Sequence, residues 1–316
     1  MSGKVRDICT TRVRTAFPDE TLEDALTSGG GNQQQVTSNE QRVTSTENGD
    51  YMTILIGTSG FSYKDWVGPV YPPDLPKPDW LRFYSREFPT CELNFSYYRI
   101  PDPRTLARMA DKVPEGFLFS VKAFRGITHE REDPEPQIEQ FVAALTPLQE
   151  AGKFACVLAQ FPYSFHANEE NRAYLHRLRE GFGDLPVVVE FRGRDWITER
   201  TFDELRALDF GFCCVDQPRL RGLIPPIAVT TGPVAYVRFH GRNAAKWWQH
   251  EEAWERYDYS YSDEELMEWV PKLRQLDAEA PMTLVYMNNH WQGQAVGTAR
   301  QLRELMRNTQ HATRNT

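Results

Sequence analysis

From Met52 onward, short runs of β-branched and aromatic residues recur eight times, separated by longer stretches of helical periodicity. This alternation is the strongest constraint on the fold. The runs predict strands over 53–60, 90–98, 116–124, 154–162, 186–192, 210–218, 234–242 and 282–290. Helices are expected over 78–88, 103–113, 135–152, 168–183, 198–209, 262–279 and 292–308, and none of any length between Pro218 and Gly232. Ser262 ahead of Asp263, Glu264 and Glu265 is a helix start signal. Strands alternating with helices imply right-handed parallel βαβ units. Eight of them over roughly 250 residues match a closed (β/α)8 barrel. The expectation is therefore an α/β protein with a single TIM-barrel-like domain over 52–310. An open doubly wound sheet is the competitor, but the first strand is not followed by a Gly-rich phosphate fingerprint.

Residues 1–51 differ from the rest. The stretch SGGGNQQQVTSNEQRVTSTENGD is polar and poor in large apolar residues, so it cannot bury enough surface to offset the entropy of ordering. It is expected to be a disordered tail, or an extension ahead of a true start at Met52. The formal net charge of −8 over 316 residues provides no global basic field for a nucleic-acid backbone. No apolar run approaches the roughly 18 residues of a membrane span, and the first 30 residues lack a signal-peptide core. Cys9, Cys91, Cys156, Cys213 and Cys214 form no CxxC pair, and four of them lie in apolar runs. Buried thiols in a reducing cytoplasm are the expectation.

In a barrel, chemistry is placed at the carboxyl ends of the strands. The run VVVEFRGRDW shows the pattern: three valines suited to a strand buried on both faces, then Glu190, then Arg192 two residues on. A buried charge is costly unless paired. Nearly every other run ends likewise in groups that ionise or hydrogen-bond. They are Glu92 and Asn94, Lys122, Gln160, Asp216, Arg238 and His240, and Asn288 and Asn289. The two-residue strand period places Glu92 with Asn94, Glu190 with Arg192, and Arg238 with His240 on shared faces. Each has a plainer reading. Glu190 and Arg192 could plug the barrel as a structural pair, Asp216 could cap a turn before Gln217-Pro218, Lys122 could be a solvated terminus, and His129 a loop histidine. The aromatics of FSYKDW, and Trp247-Trp248, are equally suited to loop packing or to a stacking platform.

The segments GTSGFSYKDWVGPVYP, CELNFSYYRIP, FSVKAFRGITH, QFP, VEFRGRDW, YVRFHGR and YMNNHWQGQA resemble, in order, the motifs of the YecE-like family, domain of unknown function seventy-two. The resemblance runs from about Ile54 to Met306 and implies a TIM-barrel-like fold without naming a reaction. Two positions depart from the family pattern. Asn94 is followed by Phe95-Ser96-Tyr97-Tyr98 rather than Thr or Ser and then Phe-Tyr, and Gly193 stands where His or Asp is frequent. Glu92, Asn94, Lys122, His129, Glu190, Arg192, Asp216, Arg238, His240, Arg242, Asn288 and Asn289 all fit.

The leading functional expectation is a metal-independent enzyme, of hydrolase or lyase type, acting on a small anionic and possibly phosphate-bearing substrate. Glu92, Glu190, Asp216 and His240 would carry acid–base catalysis. Asn94, Lys122, His129, Arg192, Arg238, Arg242, Asn288 and Asn289 would bind substrate, helped by backbone N–H groups of a helix starting near Gln292–Gln294. No cofactor is expected. A divalent metal is the runner-up, with Glu92, Glu190, Asp216, His129 and His240 as ligands in a phosphodiesterase or isomerase, although no HxH or HExxH spacing supports it. A glycosidase would need Glu92 and Glu190 about 5–9.5 Å apart. A non-catalytic binding module is the alternative from another class, and a nucleic-acid version would stack bases on Phe61, Tyr63 and Trp66. The net charge does not favour that version. Oligomeric state is open.

Overall fold

The computed structural model describes residues 54–314. The expectations for 1–51, for Met52 as a start and for Cys9 lie outside the described residues. Eight strands, β1 Ile54–Ser59, β2 Thr90–Leu93, β3 Leu118–Lys122, β4 Phe154–Gln160, β5 Val187–Glu190, β6 Phe210–Asp216, β7 Val234–Phe239 and β8 Met282–Met287, form a closed barrel in chain order. All neighbours are parallel, and β8 closes on β1 through the register Ile54↔Thr283 to Thr58↔Met287. Each expected strand is present, but most end two to four residues earlier than the apolar pattern suggested. Asn94, Arg192, His240, Arg242, Asn288 and Asn289 therefore lie on the loops that leave the strands.

The helices are α1 Trp80–Tyr84, α2 Pro103–Ala110, α3 Pro134–Ala144, α4 Thr146–Glu150, α5 Glu169–Phe182, α6 Glu199–Ala207, α7 Asp263–Met267, α8 Val270–Glu279 and α9 Gln294–Arg314. Two stretches expected as single helices are each divided, 135–152 into α3 and α4 and 262–279 into α7 and α8. The cause is Pro147 in one and Pro271 in the other, each in the first turn of the second helix. There the missing N–H costs nothing, whereas mid-helix it would break the ladder. Caps fix several starts. Asp102 accepts from Arg104 N, Asn168 from Asn171 N and Thr198 from Thr201 N, and Ser262 and Glu265 form a capping box. Each such cap contributes about 1 kcal/mol. No described helix is long and apolar enough to cross a membrane.

The barrel interior has a polar middle. Tyr286 Oη is hydrogen-bonded to Thr90 Oγ1 at 2.5 Å and to Ser120 Oγ at 3.0 Å, and Ser120 in turn meets Cys156 Sγ. Cys91, Cys156, Cys213 and Cys214 are buried free thiols. On β1, a Cβ added at Gly57 would collide with the carbonyl oxygen of Thr90, a backbone atom of the neighbouring strand that cannot turn aside. Gly57→Ala should therefore destabilise the barrel by about 1–3 kcal/mol through overpacking, read as a lower urea midpoint with an unchanged m-value. An unchanged midpoint would mean that β1 and β2 separate there at no cost.

Candidate active site

The strand period turns Glu92, Glu190, Tyr236 and Arg238 into the barrel, where Glu92 and Glu190 are wholly buried and Arg238 is 2% exposed. Arg238 bridges the two carboxylates. Its Nη1 donates to Glu190 Oε2 and its Nη2 to Glu92 Oε1, each at 2.7 Å. Tyr236 Oη donates to Glu92 Oε2 at 2.7 Å. One guanidinium between two carboxylates is the geometry in which buried charges are tolerated, since every charge has an opposite partner and directed hydrogen bonds. Burial alone would push the Glu190 carboxyl up. The guanidiniums of Arg238 and Arg192 and the nearby His240 instead hold it well below the usual carboxylate range.

The second oxygen of Glu190 faces the mouth. Oε1 lies 3.0 Å from Arg192 Nη2 and 3.3 Å from His240 Nε2, yet neither approach is aligned well enough to be a hydrogen bond, and among the described residues both Oε1 and Nε2 are buried without one. Asn288 Nδ2 meets His240 Nδ1 at 2.9 Å. An amide N–H can only donate, so the ring proton stands on Nε2, towards Glu190. Burial depresses His240 to about 3 against the pull of Glu190, so the ring is neutral at pH 7.

Lys122 ends β3 at the same mouth. Its Nζ stands 4.5 Å from the centre of the Tyr97 ring. Among the described residues it makes no hydrogen bond or ion pair, while Arg238 bonds both Glu92 and Glu190. Burial and the positive charge of Arg238 bring it down to about 7, although Glu190 and Glu92 oppose the shift. His129, in a π-helical turn over Gly126–Glu130, packs its ring edge-on against the same Tyr97 at 5.0 Å. It is depressed to about 3 by burial and then by the charges of Lys122, Arg192 and Arg131. The loop after β7 closes one side, with Trp247 and Tyr257 at 6.3 and 6.5 Å from the His240 ring. His290 stacks on Tyr63 at 4.7 Å, and burial lowers it to about 4.

The structure thus gathers Glu92, Glu190, Arg192, Arg238, His240 and Asn288 by direct contact, with Lys122 and His129 beside them. Asp216 does not join them. On β6 the two-residue period sends Cys213 inward, where its thiol meets Glu190, and Cys214 and Asp216 outward. Asp216 there accepts from Arg242 Nε and Nη2, Tyr261 Oη and Trp269 Nε1 at 2.7–2.9 Å. Its acceptor positions are filled, and Arg242 also pairs with Glu268. Both residues fasten β6 and β7 to α7 and α8. Asn289 Nδ2 ties Tyr259 O to Thr298, and Asn94 is the residue that leads into the short helical turn Phe95–Tyr97. The backbone N–H of Gln292, expected to meet an anion, already donates to the Asp65 carboxylate at 2.6 Å. Phe61 and Trp66 are buried, so the proposed stacking platform offers no free ring faces there.

Sequence reasoning missed Tyr236, although it shares the face of Arg238 and His240 by the same period. It also missed Tyr97 and His290, which it placed at the ends of strands 90–98 and 282–290 that in fact stop at Leu93 and Met287, and Tyr257, which lies on a loop without a periodic signal. Among the described residues no three His, Cys, Asp or Glu side chains are placed to hold a metal ion. The donor set does not fit the metal-dependent alternative, because the two inner carboxylates are bonded to a guanidinium. Asp216→Asn should cost about 3 kcal/mol, since an amide nitrogen would face donors where an oxygen accepts. It should leave any ligand-induced rise in Tm unchanged. A folded Asp216→Asn protein that loses such a rise would place Asp216 in the site after all.

Residues 55–316 match the family model described as "Protein of unknown function DUF72". The UPF0759 protein YunF of Bacillus subtilis strain 168 is 34% identical over 269 residues, covering 80% of this chain and 94% of that protein. A crystal structure of a DUF72 family protein from Thermotoga maritima MSB8 superposes with a TM-score of 0.75 at 39% identity, covering 81% of this chain and 99% of that one. One from Enterococcus faecalis V583 gives 0.72 at 29%, covering 80% and 95%.

Proposed function

We propose that this chain, which belongs to the DUF72 family, is an acid–base enzyme acting on a small anionic substrate at the carboxyl-terminal mouth of its barrel. The observation that carries the reading is the unpaired amine of Lys122 beside Arg192, at a mouth whose two inner carboxylates are both spent on Arg238. Among the described residues the mouth then holds Lys122, Arg192 and Arg238 against the two carboxylates Glu92 and Glu190, so a protonated Lys122 is a positive charge in surplus, met only by the Tyr97 ring. A bound carboxylate or phosphate supplies the missing partner, and in a partly desolvated mouth the charge-assisted hydrogen bonds are strong.

The division of labour follows from protonation. Glu190 is held too acidic to be an efficient general base near pH 7, and His240 and His129 are neutral. Lys122, at about 7, exchanges its proton where the enzyme works, and a catalytic group is most effective when its pKa lies near the operating pH. Arg192 anchors the anion, Lys122 moves the proton, and His240 donates its Nε2–H to developing negative charge. Glu92, Arg238 and Tyr236 position Glu190. The glycosidase alternative is less well supported, because its acid needs a carboxyl that keeps a proton, and both Glu92 and Glu190 accept hydrogen bonds from the Arg238 guanidinium.

Phosphate and small dicarboxylates should raise Tm of the wild-type protein in proportion to the logarithm of their concentration, and Arg192→Ala should abolish that rise. A wild-type Tm indifferent to every small anion at tens of millimolar, at constant ionic strength, would count decisively against an anion site. Conversion of a bound compound separates an enzyme from a binding module.

A further inference from the structure

We propose that Lys122 is a covalent catalyst: its amine condenses with the carbonyl carbon of a small aldehyde or ketone that carries the anionic group, forming a Schiff base at the barrel mouth. This rests on the anion-site reading and narrows its substrate class to oxo acids and phosphorylated carbonyl compounds.

Three features separate Lys122 from a lysine that merely binds anions. First, the amine has no hydrogen-bond or ion-pair partner among the described residues, only the face of Tyr97. Two carboxylates near enough to act on it electrostatically are both engaged by Arg238 instead. A buried amine beside guanidiniums, with no carboxylate in direct contact among the described residues, favours its neutral, nucleophilic form, in line with its depressed basicity. Second, its backbone is fixed. Ser96 Oγ donates to Lys122 O at 2.6 Å, and β3 pairs Lys122 with Leu158 of β4, so the side chain starts from a rigid strand end. Third, neutral imidazoles flank the mouth. His129 shares the Tyr97 ring with Lys122, and His240 presents Nε2–H without a hydrogen-bond partner among the described residues. A neutral imidazole N–H donates a hydrogen bond to the carbonyl oxygen as negative charge develops there, which carbinolamine formation requires, while solvent carries the protons.

The step balances without a further reactant. The nitrogen lone pair forms the C–N bond while the carbonyl π pair moves to oxygen. The nitrogen passes one proton to that oxygen, and a further proton from solvent lets it leave as water. A protonated imine remains, with Arg192 holding the anionic group. Its positive charge makes the adjacent carbon acidic, which suits lyase-type chemistry.

The test is reductive trapping on the full chain at pH 7.5, with pyruvate and dihydroxyacetone phosphate as separate probes, cyanoborohydride as reductant, and peptide mass mapping. The expected result is an adduct on Lys122 forming at least about tenfold faster than on any exposed lysine, since most of its amine is neutral at that pH. Phosphate should protect it. Lys122→Arg should keep the fold and lose the adduct, and Arg192→Ala should slow trapping while leaving the amine present. If anions raise Tm yet adducts form no faster on Lys122 than elsewhere, the covalent role is overturned and the anion site stands. If neither occurs, both fall.

Discussion

Arg238→Met should cost the protein most of its stability at pH 7. The substitution keeps the volume of the stem but leaves Glu92 and Glu190, both fully buried, facing one another without the guanidinium that separates them. Breaking one buried pair by removing a partner costs roughly 3–5 kcal/mol, and here two pairs go at once. Against a typical total of about 5–15 kcal/mol, the variant should be largely unfolded or rescued only by ligand. The loss should be relieved by a second change, Glu190→Gln with Glu92→Gln, which removes the stranded charges. It should also shrink on acidification, because protonation removes the repulsion between two buried carboxylates left with only Arg192 as a cationic partner among the described residues. Urea melts of the single and triple variants would decide this. A single variant within about 1 kcal/mol of wild type would show that the carboxylates find other partners or water.

The wild-type protein should lose stability steeply between pH 7 and pH 5. His240, His129 and His290 are held at about 3, 3 and 4 in the folded chain by burial. Unfolded, each titrates near 6.5. The unfolded state therefore binds more protons in this window, and stability present above about 6.5 is lost as pH falls towards the folded value. At pH 5 each fully buried histidine costs about 2 kcal/mol by this linkage, so His240 and His290 together cost about 4 kcal/mol, with less from the partly exposed His129. His290→Phe keeps the stacking on Tyr63 and should remove one share of the pH dependence. A stability profile flat from pH 7 to 5 would contradict the buried, neutral state of these rings.

Much of this was legible before the structure. The eight strands follow from β-branched runs bounded by turn residues. Glu92, Glu190 and Arg238 were legible from a period of two, since each shares a face with a second polar residue two positions on, Asn94, Arg192 and His240, whereas Tyr236 was missed. Asp216 shows where that reasoning stops. The run FGFCCVD is apolar on both faces, so its pattern does not say which parity points inward, and a carboxylate at its end looks the same whether it faces the mouth or the outer helices. The structure resolves the parity through Cys213 and its contact with Glu190. Lys122 was legible as a strand-end cation but not as an unpaired one. That state depends on Arg238, from a strand 116 residues later in the chain, taking both carboxylates. The aromatic wall of Tyr97, Trp247 and Tyr257 is assembled from loops, where residue spacing carries no information about contact.

The most direct measurement is the titration of Lys122 itself. Reductive methylation with ¹³C-formaldehyde gives each lysine a dimethylamine NMR signal whose shift follows its protonation, and Lys122→Arg identifies the resonance. Lys122 should titrate with a midpoint near 7, shifted upward when phosphate occupies the mouth and stabilises the charged amine. A midpoint near the ordinary lysine value of about 10.4, unmoved by anions, would contradict this.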